Sequence, residues 1–78
     1  MTARLVAGWL VVPYAGPELG RVHIATGRHQ ADEWKPAYLD YLDGERVAKV
    51  RPPAPTGHPV QVWIRVNGAA TAVGHVTI

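Results

Sequence analysis

"HPVQVWIRVNG", residues 58–68, carries the strand pattern that decides the fold. Its four aliphatic residues alternate with Gln61, Trp63 and Arg65. Because successive side chains of a β-strand point to opposite faces, this alternation predicts one aliphatic face and one face that bears Trp63. The Asn67-Gly68 pair that follows is typical of a two-residue hairpin turn, since both residues tolerate positive φ angles. The segment therefore predicts part of an antiparallel sheet with a tryptophan on its polar face.

The remaining apolar segments are also short and are separated by turn signals. Asp43-Gly44 is a second two-residue hairpin signal. The best helical candidate, His29 to Lys35, is limited to one turn because Pro36 follows it. We therefore expect an all-β fold: a small antiparallel β-sandwich or barrel of immunoglobulin-like or jelly-roll-like type. It would have about six strands, or seven if Gly8 divides the first. The predicted strands cover residues 5–12, 21–26, 37–42, 45–51, 60–66 and 69–78.

The length of the chain limits its stability. Its 78 residues form a single β domain over 1–78, and a domain of this size buries only about 60% of the surface that its unfolded chain exposes. There is no cysteine for a disulfide or a zinc-thiolate site. Oligomerisation or docking on a larger partner is the remaining common means of stabilising so small a core. We expect a homo-oligomer.

The apolar run near the start of the sequence, Leu5 to Val12, is stopped by Pro13. It is too short to span a membrane, and it is not followed by the small-residue site of a secretory signal. It is apolar on both faces, which is typical of a strand covered from two sides, and it predicts that Trp9 lies in the core. We expect no membrane partner.

The side chains that carry chemistry are poorly arranged for catalysis. The sequence has no Ser and no Cys, and its four histidines lack the spacing of a metal site. Asp43 is explained as a turn residue, while Asp40 and Glu45 fit solvated strand positions. "GPELGR", residues 16–21, lacks the Lys and the following helix of a phosphate-binding loop. We therefore expect no enzyme, no metal and no cofactor.

Aromatic and basic residues leave two binding alternatives open. A small β-barrel could stack nucleic-acid bases on Trp63, Tyr38 or Tyr41 and place basic side chains on the phosphates, namely Arg65, Arg46, Lys49 and Arg51. Against this, the net charge of +2 is small and the basic residues are spread along the chain. Tryptophan and tyrosine faces would also suit a carbohydrate-binding module.

Trp34 and Trp63 are the tryptophans that we expect to be partly exposed in an isolated subunit. Trp63 is either covered within the subunit, by Arg65 or a loop, or it anchors an interface, where Trp, Tyr and Arg supply much of the binding energy. The second interpretation predicts a partner-binding face made of Trp63, Gln61 and Arg65. Trp34 and the stiff Pro-rich loop, residues 52–59, are further candidates for partner contact.

Three segments show the strand and turn rhythm of a known class of proteins: "PAYLDYLDGERVAKVRPP" (36–53), "HPVQVWIRVNG" (58–68) and "VGHVTI" (73–78). From Ala37 to Ile78 the chain resembles the small β-sandwich virion proteins of tailed bacteriophages, which serve as capsid decoration, head-fibre or tail accessory proteins. The resemblance implies a non-enzymatic, often trimeric protein that binds assembled capsid or tail subunits and stabilises the particle. It also implies location in the virion, after assembly in the bacterial host cytoplasm. No motif residue is carried over.

Overall fold

The computed structural model describes residues 3–16, 21–27 and 33–78. These residues form eight β-strands that pair in two four-stranded antiparallel sheets. The first sheet has the order β1-β2-β6-β5 and the second the order β4-β3-β7-β8. The strands are β1 (Arg4–Val6), β2 (Trp9–Pro13), β3 (Val22–Gly27), β4 (Lys35–Pro36), β5 (Tyr38–Leu42), β6 (Glu45–Val50), β7 (Pro59–Val66) and β8 (Ala69–Thr77). The predicted all-β sandwich is confirmed, with eight strands instead of six.

The core lies between the two sheets and is aliphatic. Its most deeply buried side chains include Leu10 and Val12 from β2, and Ile24 and Val62 from β3 and β7. Alternate residues of each of these strands therefore point inward, as the period-two pattern of β7 predicts. The residues between them form the outer faces of the sandwich, on which the predicted site residues lie.

Three two-residue turns close the hairpins β1-β2, β5-β6 and β7-β8. At Asp43-Gly44 the φ angles are 51° and 78°, and at Asn67-Gly68 they are 50° and 91°. Both predicted turns are confirmed. The third turn, Ala7-Gly8, has φ angles of 49° and 81° and divides the predicted first strand in two. Asn67 also joins β7 to the start of β3, because its side-chain Oδ1 accepts a hydrogen bond of 2.9 Å from the Arg21 N–H.

The turn at Ala7-Gly8 overturns the prediction that Trp9 is a core residue. Trp9 begins a new strand, in which Leu10 and Val12 take the inward positions. Trp9 is therefore half-buried on the outer face of the first sheet.

Two segments between the predicted strands were a candidate helical turn and a Pro-rich loop. The candidate helical turn from His29 to Lys35 lies largely outside the described residues, although Lys35 itself belongs to β4. The Pro-rich loop is held at its far end, where the Thr56 and Gly57 N–H groups donate to the Ile78 carbonyl oxygen at 2.7 Å and 2.6 Å. Within the described residues, no helix is long and apolar enough to cross a membrane.

Candidate docking faces

The outer face of the second sheet carries the residues that were predicted to bind a partner. Gln61, Trp63 and Arg65 alternate along β7 with the core-facing Val62 and Ile64. They therefore point away from the core, as predicted.

Trp63 stands between two alanines. The register places Ala25 of β3 directly opposite it on one side and Ala72 of β8 on the other. Ala25 is only 2% exposed although it faces outward, so bulky neighbours on this face cover it. Trp63 itself is half-buried. Small residues on both sides leave room for an indole to lie against the sheet while part of it stays accessible to a partner.

Trp34 meets this face through Arg65. The guanidinium carbon of Arg65 lies 4.6 Å from the ring centroid of Trp34, within the range of a cation-π contact. Trp34 directly precedes β4, and β3 separates β4 from the strand of Arg65. The Arg65 side chain therefore reaches across β3 to cover Trp34. In consequence, all four predicted partner-binding residues belong to one face.

The same face has a positively charged end. Arg21, His23 and Arg65 line a cleft of about 480 Å³ beside the turn residues Asn67 and Gly68. Among the described residues, no carboxylate lines this cleft. Of the four carboxylate side chains in the described residues, three belong to the β5-β6 hairpin of the other sheet: Asp40, Asp43 and Glu45. The electrostatic potential of the cleft therefore favours an anionic partner group.

A second aromatic cluster lies on the outer face of the first sheet and is centred on Trp9. The Arg51 guanidinium carbon lies 3.8 Å from the Trp9 ring centroid, and Lys49 Nζ lies 4.4 Å from it. Tyr38 meets the indole edge-on, with 6.1 Å between ring centroids. Sequence reasoning missed this cluster because it placed Trp9 in the core. The alternation of Lys49 and Arg51 with the core residues Ala48 and Val50, along β6 and the residue after it, was the signal that could have located it.

Beside Trp9, the first sheet has an apolar cleft of about 200 Å³ whose lining includes Val6, Val11 and Val47. Lys49 borders this cleft and forms an ion pair of 2.7 Å with Asp40. The hydrogen bond from Lys49, assisted by one from the Tyr41 N–H at 2.8 Å, holds the pKa of Asp40 below its usual value of 3.8. Asp40 is therefore a charged partner of Lys49, which does not suit a proton-transfer role at neutral pH.

The remaining candidate groups are dispersed over the described residues. In residues 3–16, 21–27 and 33–78, no group of three His, Asp or Glu side chains could hold a metal ion. Tyr41, one of the predicted stacking residues, is 63% exposed on β5, away from Trp63 on the other sheet. The basic residues that were predicted to contact phosphates also lie on different sheets. Arg65 lies on the second sheet, whereas Lys49 and Arg51 contact Trp9 on the first.

Comparison of the chain with protein-family models, with curated proteins and with solved structures finds no match.

Proposed function

We propose that this chain is a non-enzymatic binding protein that docks on a larger protein assembly through the outer face of its second sheet. The convergence of Trp34, Trp63 and Arg65 on that face is the observation that carries the proposal. Tryptophan and arginine are the residue types that contribute most to protein interfaces. The neighbouring cleft lined by Arg21 and His23 suits carboxylates on the partner.

The proposed assembly is the virion of a tailed bacteriophage, where the chain would bind capsid or tail subunits and stabilise the particle. Support for this setting comes from the small cysteine-free β-sandwich and from the resemblance of residues 37–78 to virion accessory proteins. Such a protein needs a stable scaffold and a docking face, and needs no reaction centre. Contact with the assembly would also stabilise a domain whose own core is small.

Binding of single-stranded nucleic acid is the second candidate, and the basic cleft lined by Arg21, His23 and Arg65 favours it. The geometry of two of the three tryptophans, Trp34 and Trp9, argues against it. Arg65 lies over Trp34, and Arg51 and Lys49 lie over Trp9. A base could stack on these rings only after displacing a cation that already occupies the ring face. The same argument disfavours the packing of a sugar on the covered faces of Trp34 and Trp9.

The test is co-sedimentation of the purified protein with virus particles isolated from the same source. Trp63→Ala and Arg65→Ala should each weaken docking by about thirtyfold or more, since truncated hot-spot residues cost about 2 kcal/mol or more. Tyr41→Ala is the matched control. It truncates a well-exposed aromatic residue on the other sheet, and it should leave docking unchanged.

A second experiment, a titration with an oligonucleotide, distinguishes the docking function from the nucleic-acid function. Oligothymidylate is added to the free protein at low and at moderate salt, and tryptophan fluorescence is followed. The proposal predicts no saturable change, whereas tight binding that falls steeply with added salt would replace it with the nucleic-acid function. Unaltered particle docking by Trp63→Ala and Arg65→Ala would remove the second sheet from consideration as the docking face.

A further inference from the structure

The edges of the two sheets are protected very unequally. β1 has three residues, β4 has two including Pro36, and β5 has five and carries the charged Asp40. In contrast, the edge strand β8 has nine residues, Ala69–Thr77, without any proline, Asp, Glu, Lys or Arg. Proteins normally shield long edges with charges, prolines or covering segments, because unpaired backbone groups attract further strands. β8 is therefore the edge at which another strand would add most readily.

The hydrogen-bond pattern identifies which backbone groups of β8 point away from β7. The Asn67 N–H donates to the Arg21 carbonyl on the β3 side at 2.9 Å. Since backbone groups alternate in direction along a strand, those of the preceding Val66 point to β8, where Ala69 lies opposite. Ala69 and Thr71 therefore bond to β7. The N–H and C=O groups of Ala70 and Ala72 point outward.

The first four residues of β8 are open to a partner. Ala69, Ala70, Thr71 and Ala72 are all exposed. Farther along the strand, the Val73 carbonyl accepts a hydrogen bond of 3.1 Å from the Ala3 N–H. The Ala3 segment of the same chain thus already occupies the edge of β8 at Val73. The stretch that is open to a partner therefore ends at Ala72.

We propose that two copies of this chain pair antiparallel along β8, with a two-fold axis beside Thr71. Ala70 of each copy then lies opposite Ala72 of the other, and each such pair exchanges two hydrogen bonds. This uses all four outward groups of each copy and gives four bonds in total. The two Thr71 side chains face each other, a favourable cross-strand pair. The paired stretch contains only small uncharged residues, so no like charges meet, and the two second sheets join into one of eight strands.

The paired stretch also ends where the edge of β8 is already occupied by the Ala3 segment. With Ala70 opposite Ala72, the first β8 residue of the second copy, Ala69, lies opposite Val73, whose carbonyl already accepts the hydrogen bond from Ala3. Beyond that point the partner chain turns back at its own Asn67-Gly68. The second copy and the Ala3 segment can therefore share the edge. This inference does not depend on the docking function proposed for the outer face.

The test is sedimentation velocity of the full chain over a range of concentrations, where we expect a monomer-dimer equilibrium. Ala72→Pro removes an outward N–H and with it two hydrogen bonds per dimer, which should weaken association about thirtyfold. Proline is tolerated on an edge strand when its nitrogen faces away from the sheet. Ala72→Ser, which keeps the N–H, is the control and should still dimerise.

A charge exchange at the two-fold axis provides a second measurement that does not require proline. Thr71→Lys and Thr71→Glu should each reduce self-association, because like charges would stand directly opposite. An equimolar mixture of the two variants should form a heterodimer at least as readily as the original chain forms a homodimer. Trp63→Ala should leave the dimer intact, so that loss of dimerisation and loss of docking can be told apart.

A monomer at every concentration would overturn the inference, as would self-association that Ala72→Pro and Thr71→Lys leave unchanged. A trimer that survives both substitutions would instead assign self-association to another surface, in line with the trimer expected of virion accessory proteins.

Discussion

Arg65 covers the indole of Trp34 across the width of β3, with 4.6 Å between the guanidinium carbon and the ring centroid. The contact joins β7 to the edge strand β4, which has only two residues. It therefore fixes the position of a tryptophan that the short β4 pairing alone would hold weakly. In the docking proposed above, Trp34 and Arg65 would therefore meet the partner together.

A double-mutant cycle should detect this coupling. Trp34→Ala and Arg65→Ala, measured singly and together by chemical denaturation, should give an interaction free energy of about 0.5–1 kcal/mol, as expected for a partly exposed cation-π pair. The matched cycle of Trp34→Ala with Arg21→Ala, which removes a cation from the basic cleft of the same face, should give a value near zero. Equal coupling in the two cycles would show that the stabilisation comes from general charge effects and not from the stacked contact.

Replacing Ala7 with Asn should stabilise the protein. Ala7 has a φ angle of 49°, a left-handed conformation that costs an alanine about 1 kcal/mol. Asn67 and Asp43 hold the equivalent position in the other two hairpin turns with φ angles of 50° and 51°. Ala7→Asn should therefore raise the free energy of unfolding by about 0.5–1 kcal/mol, as measured by denaturant titration.

The control for the turn substitution is Ala54→Asn in the exposed Pro-rich loop, where φ is not positive. It should leave the free energy of unfolding within about 0.5 kcal/mol of the original, as surface changes usually do. If Ala7→Asn gives no gain over this control, the left-handed turn does not limit stability.

The ion pair between Lys49 and Asp40 should make a small contribution to stability that depends on pH. The hydrogen bond from Lys49 holds the pKa of Asp40 below 3.8 in the folded state. The contribution of the ion pair to the free energy of unfolding is therefore complete above the unfolded pKa of Asp40. It is lost as the pH falls through the lower pKa of the folded state. Unfolding should be followed from neutral pH to about pH 2 for the original chain and for Asp40→Asn.

The two curves should differ at neutral pH and converge in acid. The difference should shrink with added salt, because Asp40 is 51% exposed and exposed pairs are screened. Asp43→Asn, in the adjacent turn, changes the same charge without that ion pair, and its difference from the original chain should lack this acid-dependent loss. A constant gap between the original chain and Asp40→Asn down to about pH 2 would contradict the assignment.

The sequence contained the local features of the fold but not its long-range contacts. Asp43-Gly44 and Asn67-Gly68 were identifiable because their chemistry suits positive φ angles, whereas Ala7-Gly8 was ambiguous because alanine rarely adopts them. β4 was missed since a two-residue strand containing Pro36 exists only through its pairing with β3. These differences account for eight strands where six were expected.

In the candidate site, too, the local relationships were predictable from the sequence and the long-range contacts were not. The alternation within β7 was enough to place Trp63, Gln61 and Arg65 together, because that relationship is local. The contact of Arg65 with Trp34 depends on the order β4-β3-β7, for which no adjacent residues carry a signal. The position of Trp9 failed for a related reason. The run from Leu5 to Val12 was interpreted as a strand covered on both faces, whereas the turn at Ala7-Gly8 divides it, and the inward positions of β2 that join the core, Leu10 and Val12, leave Trp9 on the outer face.

Each sheet consists of two hairpin-like pairs set side by side, and this arrangement has a consequence for the rate of folding. Hairpins with two-residue turns form in about 1–10 μs. The pairs that join them, β2 with β6 and β3 with β7, connect residues that are far apart in the sequence, such as Leu10 with Val50 and Ile24 with Ile64. Closing such long loops is slow, and folds dominated by non-local pairing reach the native state in about milliseconds to seconds. We therefore expect the hairpins to form early and the two central pairings to form much later. In the interval between these steps, the β8 edge is open to any other chain in solution.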